Sequence, residues 1–130
     1  MIAAARFLSI GAGQMPKLTE AAIIAVITMA FELRRYRGFV TWKRQATEDV
    51  RRHFPGYTPE FIEELAHKHL ASGGVIKFVN EWREGLLDDP VHYDFVIADK
   101  PKPIYVETVV LRMDIDDPGV EIRSCHPDFG

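Results

Sequence analysis

The sequence predicts an α+β domain in which three or four N-terminal helices pack on one face of a C-terminal three-stranded antiparallel meander. Before Pro90, apolar residues recur every three or four positions, which is the spacing of helices with one buried face. After Pro90, apolar and polar residues alternate, as in half-buried strands. The helical segments come first and the strands last, so the order is not that of a βαβ fold.

Length and composition favour one domain and exclude several classes of protein. The chain has 130 residues, of which 47% are apolar and 27% are charged, an ordinary globular mixture. We expect residues 1–17 to be a flexible leader or edge segment and residues 18–130 to form a single domain. The net charge of −3 does not fit a polycation built for nucleic acid. Cys125 is the sole cysteine, which excludes an intramolecular disulfide.

The first two predicted helices have recognisable ends. Thr19 is a suitable N-cap, and we expect the first helix to run from Thr19 to about Arg37, with Gly38 as its stop. A second helix is predicted from about Trp42 to Phe54, because Pro55 and Gly56 follow at once.

The third predicted helix has the clearest signals. Thr58 is its N-cap and Pro59 stands at the first helical position, where a missing N–H costs nothing. Gly73 and Gly74 close it. The next segment, Val75–Leu87, has two interpretations, a strand or a fourth helix. Its first five residues resemble a strand. The four-residue spacing of its aromatic and leucine side chains favours a fourth helix.

Three strands are predicted after Pro90: Val91–Ala98, Ile104–Met113 and Val120–Cys125. Segments rich in turn-forming residues join them, which predicts a meander. We expect a register in which Met113 faces Val120 and Glu107 faces His126, because it keeps apolar pairs together. In this register the buried face carries Tyr105, Glu107, Val109, Leu111 and Met113 with Val120 and Ile122.

Glu107 is the one charged residue between Ile104 and Leu111. An ionised carboxylate in such a strand is costly unless it is paired. His126 is the expected partner, with Tyr93 of the neighbouring strand close by. We therefore predict Glu107, His126 and Tyr93 as candidate catalytic residues, with the carboxylate and the imidazole as a general acid–base pair. The alternative is a plain ion pair at the rim of the sheet.

Positive charge is concentrated in residues 34–53. This segment holds seven basic and two acidic side chains, a net charge of +5, which leaves −8 for the rest of the chain. Arginine binds phosphate well and aromatic rings stack on bases, so the segment is a candidate phosphate or nucleic-acid site. The alternative is a solvated helix face or a docking surface for an acidic partner. The candidate residues, called the basic segment below, are Arg34, Arg35, Arg37, Lys43, Arg44, Arg51, Arg52 and Trp42.

The sequence predicts no metal site, no bound cofactor and no membrane-spanning helix. His67 and His69 are two residues apart on a helix, so they point to different sides and do not share a metal. No glycine-rich phosphate loop occurs. The apolar run Ala21–Phe31 has eleven residues, whereas a bilayer span needs about 20. The absence of an export signal and the unpaired thiol predict a cytoplasmic protein.

Two functions follow as hypotheses. The first is a non-enzymatic binding or interaction module that forms a homo-oligomer, with an acidic protein or RNA as a further partner. The second is a small toxin-like ribonuclease, which holds RNA with the basic segment and cleaves it with Glu107 and His126. The second hypothesis requires both groups of residues to open on the same cleft.

Overall fold

The computed structural model describes residues 19–79, 91–99 and 102–128, and the N-terminal leader predicted for residues 1–17 lies outside them. The described residues form three helices: α1 (Glu20–Glu32), α2 (Arg44–His53) and α3 (Pro59–Ala71). They also form five strands: β1 (Val40–Trp42), β2 (Lys77–Val79), β3 (His92–Ile97), β4 (Ile104–Arg112) and β5 (Gly119–Pro127).

The fold is α+β, but the predicted three-stranded antiparallel meander is wrong. The five strands form one mixed sheet in the order β1-β5-β4-β3-β2. The antiparallel pairs β3–β4 and β4–β5 make up the expected meander. β2 adds to it antiparallel beside β3, and β1 adds parallel beside β5. The sheet is therefore wider than predicted by one short strand at each edge.

Both edge strands are only three residues long, too short to show a period in the sequence. β1 takes Val40, Thr41 and Trp42, so the second helix begins at Arg44 and not at Trp42. The parallel pairing of β1 to β5 explains this, because Lys43 N–H still donates to the Ile122 carbonyl at 2.9 Å.

The fourth helix predicted over Val75–Leu87 is wrong where the structure describes that segment. Residues 77–79 form β2, and residues 80–87 lie outside the described part. Phe78 lies opposite Tyr93, and the two rings meet edge to face with centroids 5.2 Å apart. Cross-strand packing of this kind stabilises a strand where spacing alone suggests a helix.

The predicted N-caps are confirmed. Thr19 Oγ1 accepts the Ala22 N–H and Thr58 Oγ1 accepts the Phe61 N–H, each at 3.1 Å. Such caps contribute about 1 kcal/mol each. α1 ends at Glu32, five residues before the predicted end, because the chain must turn to reach β1. None of the helices in residues 19–79, 91–99 and 102–128 is long and apolar enough to cross a membrane.

All three described helices pack on one face of the sheet. Phe31 of α1 meets Phe95 of β3 edge to face, with ring centroids 6.0 Å apart. Asp49 of α2 is buried and accepts the Cys125 N–H at 3.2 Å. The core on this helix face includes Ile27, Ala46, Val50, Ile62, Phe95, Ile104, Val106, Val120, Ile122 and Cys125.

The predicted register between β4 and β5 is wrong. Glu107 lies opposite Ser124, and His126 lies opposite Tyr105. The hairpin pairs Arg112 with Gly119 and not Met113 with Val120, which moves the register by two residues. Two irregularities also insert one extra residue each, Arg123 in β5 and Leu111 in β4. Such β-bulges shift the alternation of side chains along a strand, and the sequence pattern does not show them.

The predicted buried face is wrong for the same reason. Val120 and Ile122 do lie in the core, but opposite Val110 and Thr108. Tyr105 and Glu107 lie on the other face, away from the helices.

Candidate functional site

Polar side chains line the sheet face opposite the helices. Asp94 lies across from Glu107, Glu107 across from Ser124, and Tyr105 across from His126. Residues opposite each other in antiparallel strands project to the same side, and so do residues two apart along a strand. We call this set the polar strand face: His92 and Asp94 of β3, Tyr105 and Glu107 of β4, and Ser124 and His126 of β5.

Glu107 is held through both of its carboxylate oxygens. His92 Nδ1 lies 3.0 Å from Oε2, and Ser124 Oγ donates to Oε1 at 3.2 Å. The His92 side chain is 6% exposed, whereas that of Glu107 is 26% exposed. The carboxylate is therefore fixed from inside the protein and still reaches the surface.

Tyr105 and Asp94 form the second contact of this face. The Tyr105 hydroxyl donates to Asp94 Oδ2 at 2.5 Å, and Asp94 is buried. Burial raises the pKa of Tyr105 well above its usual value, and the hydrogen bond and charge of Asp94 raise it further. Tyr105 therefore stays protonated at neutral pH and orients the carboxylate beside it.

His126 stacks on the ring of Tyr105. The ring centroids are 5.0 Å apart and the planes differ by 7°. Nδ1 of His126 lies 3.0 Å from the Pro127 carbonyl oxygen. Because a carbonyl only accepts, this nitrogen carries the proton, and Nε2 is the ring nitrogen left for chemistry. Within the described ranges, Nε2 has no hydrogen-bond partner.

Two cations accompany the polar strand face. Arg123 stands at the β-bulge beside Ser124, with its Nε 3.9 Å from Glu121 Oε1. Lys77 places Nζ 5.5 Å from the centroid of the Tyr105 ring. The face therefore combines groups that transfer protons with groups that attract negative charge.

The structure brings two of the three predicted catalytic residues onto one face. Glu107 and His126 both belong to the polar strand face, although the contacts of Glu107 are with His92 and Ser124 and not with His126. Tyr93 lies on the helix face, opposite Thr108, and is 9% exposed. Burial raises the pKa of its hydroxyl. Tyr93 is therefore not placed beside the other two.

The basic segment lies on the helix side of the sheet. Arg44, Arg51 and Arg52 are exposed on α2, which packs against β5 through its buried residues. Lys43 is exposed just before α2, and Trp42 Nε1 donates to Glu63 Oε2 at 2.7 Å. The structure does not bring these residues, or Arg34, Arg35 and Arg37, together with Glu107.

Sequence reasoning missed His92, Asp94, Tyr105, Ser124, Arg123 and Lys77. The sequence did carry a signal for four of them: His92, Asp94, Tyr105 and Ser124. Each of the strands β3, β4 and β5 has a pair of polar or aromatic residues spaced by two. The pairs are His92 and Asp94, Tyr105 and Glu107, and Ser124 and His126. A spacing of two puts both members on one face of a strand. Nothing in the sequence marks Arg123 or Lys77, whose placement depends on the bulge and on β2.

Within residues 19–79, 91–99 and 102–128, no group of three or more His, Cys, Asp or Glu side chains is arranged to hold a metal ion. No protein-family model, curated protein or solved structure matches the chain.

Proposed function

We propose that the protein is a small ribonuclease that cleaves RNA by general acid–base catalysis on the polar strand face. The observation that carries the proposal is the arrangement of Glu107 and His126. One is a carboxylate anchored at both oxygens, and the other is an imidazole two residues away across the β4–β5 pair.

Glu107 is the proposed general base. A base must reach the proton that it abstracts while its own orientation stays fixed. His92 and Ser124 supply that orientation, because each contacts one oxygen of the carboxylate. Each oxygen has a second lone pair, and the partly exposed side chain presents these to a bound substrate.

His126 is the proposed general acid. Glu107 faces Ser124 and Tyr105 faces His126, so Glu107 and His126 are diagonal neighbours. Diagonal positions in antiparallel pairs are about 7–8 Å apart, which leaves space for a phosphodiester between base and acid. Stacking on Tyr105 and the Pro127 carbonyl orient the imidazole so that Nε2 is its reacting atom.

The proposed reaction is a transesterification in two proton transfers. Glu107 accepts the proton of the ribose 2′-hydroxyl as its oxygen bonds to phosphorus. The bond from phosphorus to the 5′-oxygen breaks, and protonated His126 gives its proton to that oxygen. The products are a 2′,3′-cyclic phosphate and a free 5′-hydroxyl. Arg123 and Lys77 are the cations on this face that would stabilise the negative charge of the phosphoryl oxygens.

The proposal differs from the sequence-based ribonuclease hypothesis in its cations. That hypothesis assigned RNA binding to the basic segment and required it to share a cleft with Glu107. The basic segment lies on the opposite side of the sheet, so it takes no part in the proposed chemistry. Arg123 and Lys77 replace it.

The test is cleavage of a labelled single-stranded RNA by the purified chain. We expect Glu107→Gln and His126→Gln each to lower the rate by about 100-fold or more, the usual contribution of one acid–base group. Glu48→Gln is the matched control, since Glu48 lies on α2 and pairs with Arg44 at 3.4 Å. Equal cleavage by all three variants and the parent would contradict the proposal, as would an inactive parent.

A second candidate function is the homo-oligomeric binding module. Exposed apolar side chains support this candidate, because contact with a second copy would bury them. Leu111, the extra residue between Val110 and Arg112 of β4, is 52% exposed, and Val75 is 74% exposed. Sedimentation velocity tests this candidate. It predicts a dimer or larger species that Leu111→Asp dissociates, and a monomer at high concentration would reject it.

For either function we propose the cytoplasm as the compartment. Cys125 is the sole cysteine and is buried, so the fold uses it as an apolar side chain and not as half of a disulfide. Fractionation of cells that express the chain checks this proposal.

A further inference from the structure

A second candidate site lies on the helix side of the sheet, between the turn after α1 and the first half of α3. One wall carries Arg34, Arg35, Tyr36 and Arg37, and the other carries Glu60, Glu63 and Glu64. The cleft has a volume of about 640 Å³, a size typical of small-molecule sites. We call it the Arg–Glu cleft.

Hydrogen bonds hold the backbone of the arginine wall and the side chain of Arg34. Arg34 Nη1 donates to the Phe31 carbonyl at 3.1 Å, and Tyr36 N–H donates to the Leu33 carbonyl at 2.9 Å. Arg112 Nη2 donates to the carbonyls of Gly38 at 2.8 Å and Pro118 at 2.9 Å, which ties the end of this turn to the β4–β5 hairpin. The backbone that carries the arginines is therefore fixed at both ends of the turn.

The glutamate wall is anchored by Glu63. Its Oε2 accepts the Trp42 indole N–H at 2.7 Å, and burial raises its pKa. Glu64 lies 3.4 Å from Lys68 on its own helix. No ion pair crosses the cleft between the arginines and the glutamates that the structure describes. Opposite charges thus face each other across the cleft without direct contact, although the charge of Arg34 lowers the pKa of Glu63 against the larger effect of burial.

These charges select the kind of ligand. A simple anion attracted by the arginines meets three carboxylates, and a simple cation meets three guanidinium groups. A ligand that carries an anionic group at one end and N–H donors at the other satisfies both walls. Tyr36, whose side chain is 66% exposed, offers a flat ring at the cleft against which an aromatic ring can stack.

We propose that the Arg–Glu cleft binds a nucleoside monophosphate whose base carries an exocyclic amino group. The phosphate contacts the arginine forks, the base stacks on Tyr36, and the amino group donates to the carboxylates of the glutamate wall. This proposal does not depend on ribonuclease activity, because the cleft and the polar strand face lie on opposite sides of the sheet.

The test is an NMR titration of the whole chain with cytidine monophosphate, uridine monophosphate and inorganic phosphate. The two nucleotides differ where cytosine has an amino group and uracil a carbonyl. We expect cytidine monophosphate to bind at least about tenfold more tightly than the other two, because an N–H donor pairs with a carboxylate and a carbonyl does not. The Trp42 indole N–H and the Gly38 amide are expected to shift.

Variants separate the contribution of each wall. Arg35→Gln is expected to weaken both nucleotides, with Arg52→Gln on α2 as the matched control. The double variant Glu60→Gln, Glu64→Gln is expected to reduce the preference for cytidine over uridine monophosphate. Equal affinity for all three probes, no binding, or shifts confined to the polar strand face would overturn the proposal.

Discussion

His92 and Glu107 are diagonal neighbours across β3 and β4, with the imidazole Nδ1 3.0 Å from the carboxylate Oε2. The imidazole is buried and the carboxylate is partly exposed. A charged oxygen held in this way keeps one orientation while it faces the surface, which is the property that a general base needs.

The roles of Glu107 and His126 are separable with a substrate whose leaving group needs no proton. We expect His126→Gln to cleave uridine 3′-(4-nitrophenyl phosphate) within about tenfold of the parent rate, because nitrophenolate leaves unprotonated. We expect Glu107→Gln to cleave this substrate about 100-fold or more slowly than the parent, since the 2′-hydroxyl still needs a base. Release of nitrophenolate, followed by its absorbance, checks both rates. Equal losses in the two variants would refute these roles.

The contact between His92 and Glu107 contributes to stability as well as orientation. Hydrogen bonds to charged groups contribute about 1.5–3 kcal/mol, so we expect a coupling free energy in that range between His92→Ala and Glu107→Ala. Urea denaturation of the two single variants and the double variant measures it. Strictly additive losses would show that the pair does not interact.

The pairing of Tyr105 with Asp94 predicts a loss of stability in alkali. The pKa of Tyr105 is raised on folding, so the protonated hydroxyl is favoured in the folded state. The hydroxyl therefore adds to the free energy of unfolding. This added stability is complete below the unfolded pKa of about 10 and is lost as the pH rises through the higher folded value. Urea unfolding between about pH 8 and pH 11 is expected to show a smaller alkaline loss for Tyr105→Phe than for the parent. Identical pH profiles would contradict the prediction.

Cys125 is predicted to be chemically inert in the folded protein. Burial, with a smaller effect of the Asp49 charge, raises the pKa of its thiol to about 12. Because the thiolate is the reacting species, we expect a disulfide reagent at pH 8 to modify the folded chain at least about 100-fold more slowly than the urea-unfolded chain. The colour released by the reagent follows both rates. Similar rates in the two states would show that Cys125 is accessible.

Local signals in the sequence were sufficient for the starts of α1 and α3 and for the positions of β3, β4 and β5 along the chain, but not for their register. Thr19 and Thr58 cap α1 and α3 because a side-chain oxygen beside a free N–H is a local interaction. β1 was not predictable, because its pairing joins Val40 to Val120, eighty residues along the chain. A three-residue strand carries no period from which that partner follows.

The candidate site was predictable only in part. Glu107 stands out in the sequence because a charge interrupts an apolar run. Its true partner, His92, does not stand out, since the choice between His92 and His126 depends on register. The hairpin pairs Arg112 with Gly119, where the prediction paired Met113 with Val120, and this register placed His126 opposite Tyr105 and not opposite Glu107. The two bulges, at Leu111 and Arg123, add one residue to each strand and so decide which side chains share a face. Bulges reflect packing of the whole sheet, which a local pattern does not encode.

The most direct test uses a DNA oligonucleotide that contains one ribonucleotide. If Glu107 activates a 2′-hydroxyl, the purified chain cuts only after that ribose and leaves a 2′,3′-cyclic phosphate, and Glu107→Gln abolishes the cut. Cleavage at deoxyribose positions, a linear phosphate as the first product, or full activity in Glu107→Gln would contradict catalysis by the polar strand face.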